Sequence, residues 1–289
     1  MKSELVWPAP AKLNLFLHIL GRRPDGYHLL QTVFQFLDTG DTLRFRMRGD
    51  GVVQRGNAIA GLAPEDDLVV RAARLLRDAA GVSQGVDIEL NKTLPMGAGL
   101  GGGSSDAATV LVALNHLWRL GFSRDQLAHL GLQLGADVPV FVRGRAAWAE
   151  GVGEDLTPIE LAEPWYLVVV PPCHVSTAAV FGAAELTRDR PPIKIPAFLS
   201  GEGQNVCEPV VRRRYPAVGQ ALDWLGRFGT ARMSGTGAAV FAPFADRAAA
   251  VAVSRRVPAS WRALVARGCN RSPLLHMTES LKDHPPRGC

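Results

Sequence analysis

"LPMGAGLGGGSSDAA", Leu94 to Ala108, places glycine at 97, 99, 101, 102 and 103 and follows at once with Ser104, Ser105 and Asp106. Peptide N–H groups that no Cβ covers can converge on an anion, and a helix beginning where they end adds its unpaired amides and the positive end of its dipole. The order of elements supports that use. "VDIEL" (Val86 to Leu90) alternates as a strand, six residues including Pro95 intervene, and the glycines lead into a helix expected from about Ser104 to Trp118. Ala107, Leu111, Leu114 and Trp118 form the apolar stripe of that helix, with Ser104 and Ser105 as its caps. A phosphate site is the physical reading, and a flexible loop without a ligand is its rival. A P-loop is excluded, because no lysine lies between Met96 and Arg119. Gly97, Gly99 and Gly102 match G-x-G-x-x-G, but "WRLGFS" stands where a dinucleotide fold needs a second strand and an acid.

Outward from the loop, "AKLNLFLHIL" (Ala11 to Leu20) sets Leu13, Leu15, Leu17 and Ile19 against Lys12, Asn14 and His18, the period of a half-buried strand. "RRPDGYH" is turn chemistry, and "DTLRFRM" (Asp41 to Met47) is a second strand. A helix is expected from Asp67 to Ala80, capped by Asp66, striped by Leu68, Ala72, Leu75 and Ala79, and stopped by Gly81. Ser123 to Gln126 is a capping box for a helix closing at Gly135. The polar, proline-bearing stretch from Glu154 to Pro164 marks a junction between residues 1–157 and 158–289. Beyond it, "WYLVVVP", "GAAVFAPF" and "WRALVARG" read as strands, and "TAAVFGAAEL", "AVGQALDWLGRF" and "DRAAAVAVSRR" as helices, with "KDHPPRGC" a frayed tail. Strands and helices mix in both halves, an α+β pattern.

Composition narrows the partners. The 289 residues are 47% hydrophobic and 20% charged, a globular balance with enough apolar material for buried cores. Cys173, Cys207, Cys269 and Cys289 are far apart, which argues against a zinc knuckle or a disulfide framework and for a reducing cytosol. No apolar run is long enough for a membrane span, so the chain is expected to be cytoplasmic. The net charge of +5 is dispersed, with "RRR" at Arg212 to Arg214 as its one short run, so nucleic acid is not expected. A mildly basic surface suits a small substrate bearing several phosphates.

"PMGAGLGGGSSDAA" resembles the phosphate loop of the GHMP kinase superfamily, and "PAKLNLFLHI" from Pro10 and "MSGTGAAVF" from Met233 resemble its other two motifs. "RRPDGYHLLQTVFQFLD" (Arg22 to Asp38) and "LGADVPVFVRGRAAWAEGVGE" (Leu134 to Glu154) narrow the resemblance to the 4-diphosphocytidyl-2-C-methyl-D-erythritol kinase family, over about Trp7 to Pro273. That resemblance implies a two-domain GHMP kinase fold, a ribosomal protein S5 domain 2-like N-terminal domain followed by a ferredoxin-like C-terminal domain with the site between them. It also implies ATP-dependent phosphorylation of the 2-hydroxyl of a small substrate carrying a cytidine diphosphate group, with ATP as co-substrate and Mg²⁺.

Residue by residue, the resemblance implies that Pro95, Met96, Gly97, Ala98, Gly99, Leu100, Gly101, Gly102, Gly103, Ser104 and Ser105 bind ATP, Ser105 also reaching the metal. Lys12 and Asp137 become the catalytic pair. From the residues alone, Asp137 between Gly135 and Pro139 is a base or an ordinary helix cap, and Lys12 is a site cation or a solvated lysine. Asn14, Tyr27, His28, Thr177 and Phe181 fall on the substrate side, with a base held between aromatic rings. Asp67 stands where the family often has asparagine, a departure that leaves the adenine contact open. Gly235 and Gly237 support the loop or form a plain hairpin turn. Homoserine or mevalonate kinases are the alternative within the fold, and a basic RNA-binding module is the alternative outside it.

Overall fold

The computed structural model describes residues 5–57 and 66–283. The last six residues of the expected tail lie outside them.

Two long strands, β1 (Trp7–Arg22) and β2 (His28–Arg48), pair antiparallel across the turn at Pro24, Asp25 and Gly26, where Asp25 Oδ1 accepts the Tyr27 N–H at 3.1 Å. The first half continues with β3 (Val53–Arg55), α1 (Leu68–Ala80), β4 (Gly85–Asn91), α2 (Gly102–Leu117), α3 (Arg124–Leu132), α4 (Val138–Arg143), β5 (Ala147–Glu150) and β6 (Asp155–Pro158). The second comprises β7 (Trp165–Val170), α5 (Thr177–Phe181), α6 (Ile195–Leu199), α7 (Glu208–Arg214), α8 (Pro216–Leu225), β8 (Arg232–Met233), β9 (Val240–Phe244), α9 (Arg247–Ser254), β10 (Arg262–Cys269) and α10 (Pro273–Asp283). The strands run in the order β3-β4-β2-β10-β7-β9-β8, with β1 and the β5-β6 pair joined to β2. β10 is the link, pairing Gly268 and Cys269 with Leu37 and Phe36 while its earlier residues pair with β7.

Three apolar cores place the site. One packs α1, α2 and α4 against β1, β2 and β4, and Leu274 of α10 returns to it from the end of the chain. Another packs α5, α7 and α8 against β7 and β9. Between them Leu13, Leu94, Leu100, Val168 and Phe241 form a smaller core directly under the glycine loop.

Several expected elements differ in detail. α1 starts one residue later, because Asp67, not Asp66, accepts the Val69 N–H at 2.9 Å, and its buried face is Val69, Val70, Ala72, Ala73 and Leu76. Leu75 and Ala79 turn away from the core. Gly81 ends the helix in the left-handed region, as expected. α2 is not amphipathic: every residue from Ser105 to Leu114 is buried, since sheet and helices enclose it on all sides. "TAAVFGAAEL" is helical only through Phe181; beyond it Arg188 donates to the Phe181 and Ala183 carbonyls, and Ala183 O also accepts the Leu186 N–H in a turn at 3.2 Å.

Candidate active site

Lys12 and Asn14 project from the polar face of β1, and that face is not solvated. Lys12 is 3% exposed and Asn14 4%, because the glycine loop and the turn after β8 close over them. Lys12 Nζ lies 3.1 Å from Asp137 Oδ2, 2.5 Å from Asn14 Oδ1, and 5.2 Å from the centre of the Phe34 ring. A buried ammonium needs such partners, so the solvated-lysine alternative falls. Asp137 sits at the N-terminal cap position of α4, but its side chain makes no cap hydrogen bond. With 34% of its side chain exposed, it is held by Lys12 and open to a ligand. The capping alternative falls with it.

The loop is clamped from two sides. Lys12 N–H donates to Leu100 O at 3.0 Å, and Ala239 N–H to Ala98 O at 3.0 Å. Ser234 Oγ donates to Gly99 O at 2.9 Å and accepts the Asn14 N–H at 3.1 Å, joining β1, the loop and the late turn through one hydroxyl. Gly235 and Gly237 therefore belong to a turn that braces the loop, and Asn205 Nδ2 holds that turn by the Met233 and Gly235 carbonyls. α2 begins after Gly101, which is left-handed at φ 72° and offers no side chain to cap the first amides. Ser104 and Ser105 lie inside the first turn and are not the expected caps. The first-turn N–H groups consequently keep their capacity for an anion. Ser105 Oγ is buried and has no partner among the described residues, whereas Ser104 faces both cavities described below.

Beneath the loop, Lys92 Nζ lies 2.6 Å from Asp41 Oδ2 and 2.6 Å from Asp106 Oδ2. Asp41 also accepts the Thr93 and Leu94 N–H groups, while Asp106 Oδ1 has no partner among the described residues. Burial pushes the Asp106 carboxyl up to about 7, with Lys92 opposing and Asp41 adding to the rise. Burial also opposes the Lys92 charge, but the two carboxylates outweigh it and its pKa stands above the ordinary lysine value. Two acids share one cation, and Asp41 is the better supported. Asp41→Asn is therefore expected to cost about 2–4 kcal/mol, whereas Asp106→Asn, which keeps an acceptor for Lys92, stays within about 1 kcal/mol of the parent. Urea unfolding at pH 7 checks this, and the reverse ranking would assign the structural charge to Asp106.

Three cavities run edge to edge. The first, about 330 Å³, is lined by the whole loop from Pro95 to Ser104 together with Asp67, Lys92 and Asp106. The second, about 310 Å³, holds Lys12, Asn14, Asp137, Thr177 and Thr236, and shares Gly99, Gly101 and Ser104 with the first. The third, about 510 Å³, is walled by Tyr27, His28 and Arg22, and shares Phe181, Leu30, Ala136 and Val152 with the second. Thr177 Oγ1 lies 2.9 Å from Thr236 Oγ1, and Tyr27 is 62% exposed at the rim. His28 and Phe181 are stacked on one another, with centroids 5.0 Å apart and planes at 21°, so no base fits between these two rings as they stand. A base can stack on the pair from outside or part it. His28's pKa is lowered, by burial first and then by Arg188 and Arg22, so its imidazole is neutral near pH 7.

Sequence reasoning missed Thr32, Ser234, Asn205, Lys92 and Arg188. Thr32 bonds Asn14 Nδ2 and sits in the part of β2 to which the reading assigned no element. Ser234 lies in the quoted "MSGTG" and was available there; Lys92 and Arg188 carry no local signal, because their partners are far off in the chain. Asp67 lines the first cavity with its carboxylate already engaged by Arg55 Nε at 3.0 Å.

Comparison with known proteins bears on this geometry. The GHMP kinases N terminal domain matches residues 67–145 and the GHMP kinases C terminal domain matches residues 183–263. A 4-diphosphocytidyl-2-C-methyl-D-erythritol kinase of Nitrosococcus oceani is 61% identical over 275 residues, covering 95% of this chain and 98% of the relative. Its counterpart in Pseudomonas paraeruginosa is 59% identical over 281 residues, covering 97% of this chain and 100% of the relative. A crystal structure of 4-(cytidine 5'-diphospho)-2C-methyl-D-erythritol kinase superposes with a TM-score of 0.81 at 35% identity, over 91% of this chain and 99% of that one. Homoserine kinase from Cytophaga hutchinsonii superposes with a TM-score of 0.71 at 16% identity over 95% of this chain and 97% of its own, a likeness of fold alone.

Proposed function

The chain belongs to the GHMP kinases, and from that premise we propose that it transfers the γ-phosphoryl group of ATP to the 2-hydroxyl of 4-diphosphocytidyl-2-C-methyl-D-erythritol, yielding the 2-phosphate and ADP for isoprenoid precursor synthesis. One observation carries the residue-level reading: the Lys12–Asp137 pair lies in the second cavity, beside the Gly99, Gly101 and Ser104 backbone that borders the first. ATP in the first cavity and an alcohol in the second then meet across that shared edge. The placing of the domain division near residues 157 and 158 is supported by the two family matches, which fall on either side of it.

In the transfer, Asp137 accepts the proton of the hydroxyl, the oxygen forms its bond to the γ-phosphorus, and the bond to the bridging oxygen of ADP breaks. Lys12 offsets the charge on the attacking oxygen and orients Asp137, and Asn14 fixes the ammonium from its other side. The loop and first-turn N–H groups hold the phosphates without competing side-chain caps. Among the described residues no cluster of three or more His, Cys, Asp or Glu side chains could bind a metal by itself. A kinase metal is commonly held chiefly by the nucleotide's own phosphates. Ser104, open to both cavities, and Ser105, whose buried hydroxyl lacks a partner among the described residues, are the residues that would complete its shell. Mg²⁺ so bound would neutralise phosphate charge and align the γ-phosphoryl group.

The third cavity favours a substrate with a base over homoserine or mevalonate. Its aromatic wall of Tyr27, His28 and Phe181 is continuous with the second cavity, and neither of those substrates has a ring to place there. No helix among the described residues is long and apolar enough to cross a membrane.

The test is ADP release in Mg²⁺ with the cytidyl substrate and with its uncytidylated erythritol phosphate. The cytidyl compound is expected to have the higher kcat/KM by at least about 10²-fold, and Phe181→Ala is expected to cut that advantage about tenfold by raising KM for the cytidyl compound about tenfold. Equal rates on both compounds would overturn the substrate assignment; substrate-free, salt-sensitive RNA binding without turnover would overturn the kinase itself.

A further inference from the structure

Arg188 holds both members of the stacked pair at the base end of the site. Its Nη2 donates to Phe181 O at 2.8 Å and to Ala183 O at 2.7 Å, its Nη1 to Leu186 O at 3.1 Å, and its Nε to His28 Nε2 at 3.2 Å. The segment after α5 and the first residue of β2 are thereby tied through one planar group. A guanidinium has donors and no acceptor, so the imidazole nitrogen facing it must be the unprotonated one. In a neutral ring the proton then sits on Nδ1, which makes no hydrogen bond within the described residues and belongs to a side chain that walls the third cavity. Burial, Arg188 and Arg22 all disfavour the charged ring, which would place a second proton against the guanidinium.

We propose that Arg188 is a positioning residue that locks His28 in its Nδ1–H form, so that the third cavity presents a fixed donor and selects a pyrimidine with an acceptor at ring N3 over one whose N3 carries hydrogen. The proposal rests on the reading that this cavity takes the cytidyl group. Cytosine meets the donor with the N3 lone pair, whereas uracil sets N–H against N–H and leaves both desolvated. Without Arg188 the ring is free to carry its proton on Nε2 and offer the cavity an acceptor, and the preference for N3 acceptors weakens.

The full-length protein, labelled with ¹⁵N-histidine, reports the form directly. His28 signals, identified by their loss in His28→Gln, are expected to show a protonated Nδ1 and an unprotonated Nε2. In Arg188→Met the Nε2–H form is expected to appear, while Arg188→Lys, which keeps a donor, retains most of the parent pattern. Turnover of the cytidyl substrate and of its uridyl analogue supplies the second readout. Arg188→Met is expected to raise KM for the cytidyl compound about tenfold with kcat within about threefold, and to shrink the cytidyl-over-uridyl ratio of kcat/KM about tenfold. An equal loss on both compounds, or an unchanged pair of His28 signals in Arg188→Met, would reduce Arg188 to a staple and overturn the proposal. If the parent protein leaves the cytidyl compound untouched while His28 shows Nδ1–H, the substrate reading fails and the lock stands.

Discussion

Asp137→Asn is expected to lower kcat by about 10²–10⁴ while leaving both KM values within about threefold, because the amide keeps the size of the carboxylate but cannot take the hydroxyl proton. The geometry makes that separation clean. Asp137 makes no cap hydrogen bond, so α4 does not depend on its charge, and the new amide oxygen can still accept from Lys12. Folding stability should therefore stay within about 1 kcal/mol of the parent. Lys12→Ala attacks the other partner and is expected to cost about 10³ in kcat, since it removes the cation that offsets charge on the attacking oxygen. Asp137, with 34% of its side chain exposed, can take water in place of the lost ammonium. The double variant should fall little below the worse single one, because two groups serving one proton transfer do not add. Steady-state and single-turnover rates on the cytidyl substrate decide the matter; near-parent kcat in both single variants would remove the pair from the mechanism even if the kinase activity remained.

How much of this was legible in the chain follows from where each partner sits. The glycine loop, the β4 strand before it and the α2 helix after it are one continuous text, and their order could be read from spacing. Lys12 and Asn14 could be placed on one face of β1 by its period of two, but not inside the protein. That face is buried by Leu100 of the loop and Ser234 of the late turn, from segments about 90 and 220 residues away. Local reading likewise set Ser104 and Ser105 as caps, since serine favours that position; the left-handed Gly101 starts the helix ahead of them and frees the amides. For α2 a stripe was expected where the structure buries every side, because periodicity sees only an element's own residues and not how many neighbours enclose it. Arg188 is the extreme case. Nothing in "LTRDR" distinguishes it from a surface arginine, and its role depends on three carbonyls from the end of α5 and the turns after it and one imidazole brought from the start of β2. Resemblance supplied the substrate side, and the contacts that organise it came from the tertiary structure.

The largest structural effect should come from Gly99. Its backbone is left-handed at φ 76°, and a Cβ there would lie 2.3 Å from Ser234 O and 3.1 Å from Gly237 O. Neither atom is the end of a flexible side chain. Ser234 cannot retreat cheaply, because its hydroxyl spans Gly99 O and the Asn14 N–H while Asn205 grips the carbonyls on either side of it. Gly99→Ala therefore combines a strained φ, about 1–2 kcal/mol, with overpacking against fixed backbone, about 1–3 kcal/mol, for a loss of about 2–5 kcal/mol. The loop that shifts to relieve it carries the amides facing both cavities, so KM for ATP should rise at least about tenfold. Gly103→Ala is the matched control: it lies in the first turn of α2 without a positive φ, its nearest neighbour would be Leu68 Cδ1 at 3.4 Å, and alanine favours helix. Its stability should stay within about 1 kcal/mol of the parent. Urea unfolding and ATP titration of the two variants separate backbone clamping from mere flexibility, for a loop that needed glycine only as a hinge would lose about the same from either substitution, whereas a loop pressed against a braced turn loses stability at 99 and keeps it at 103.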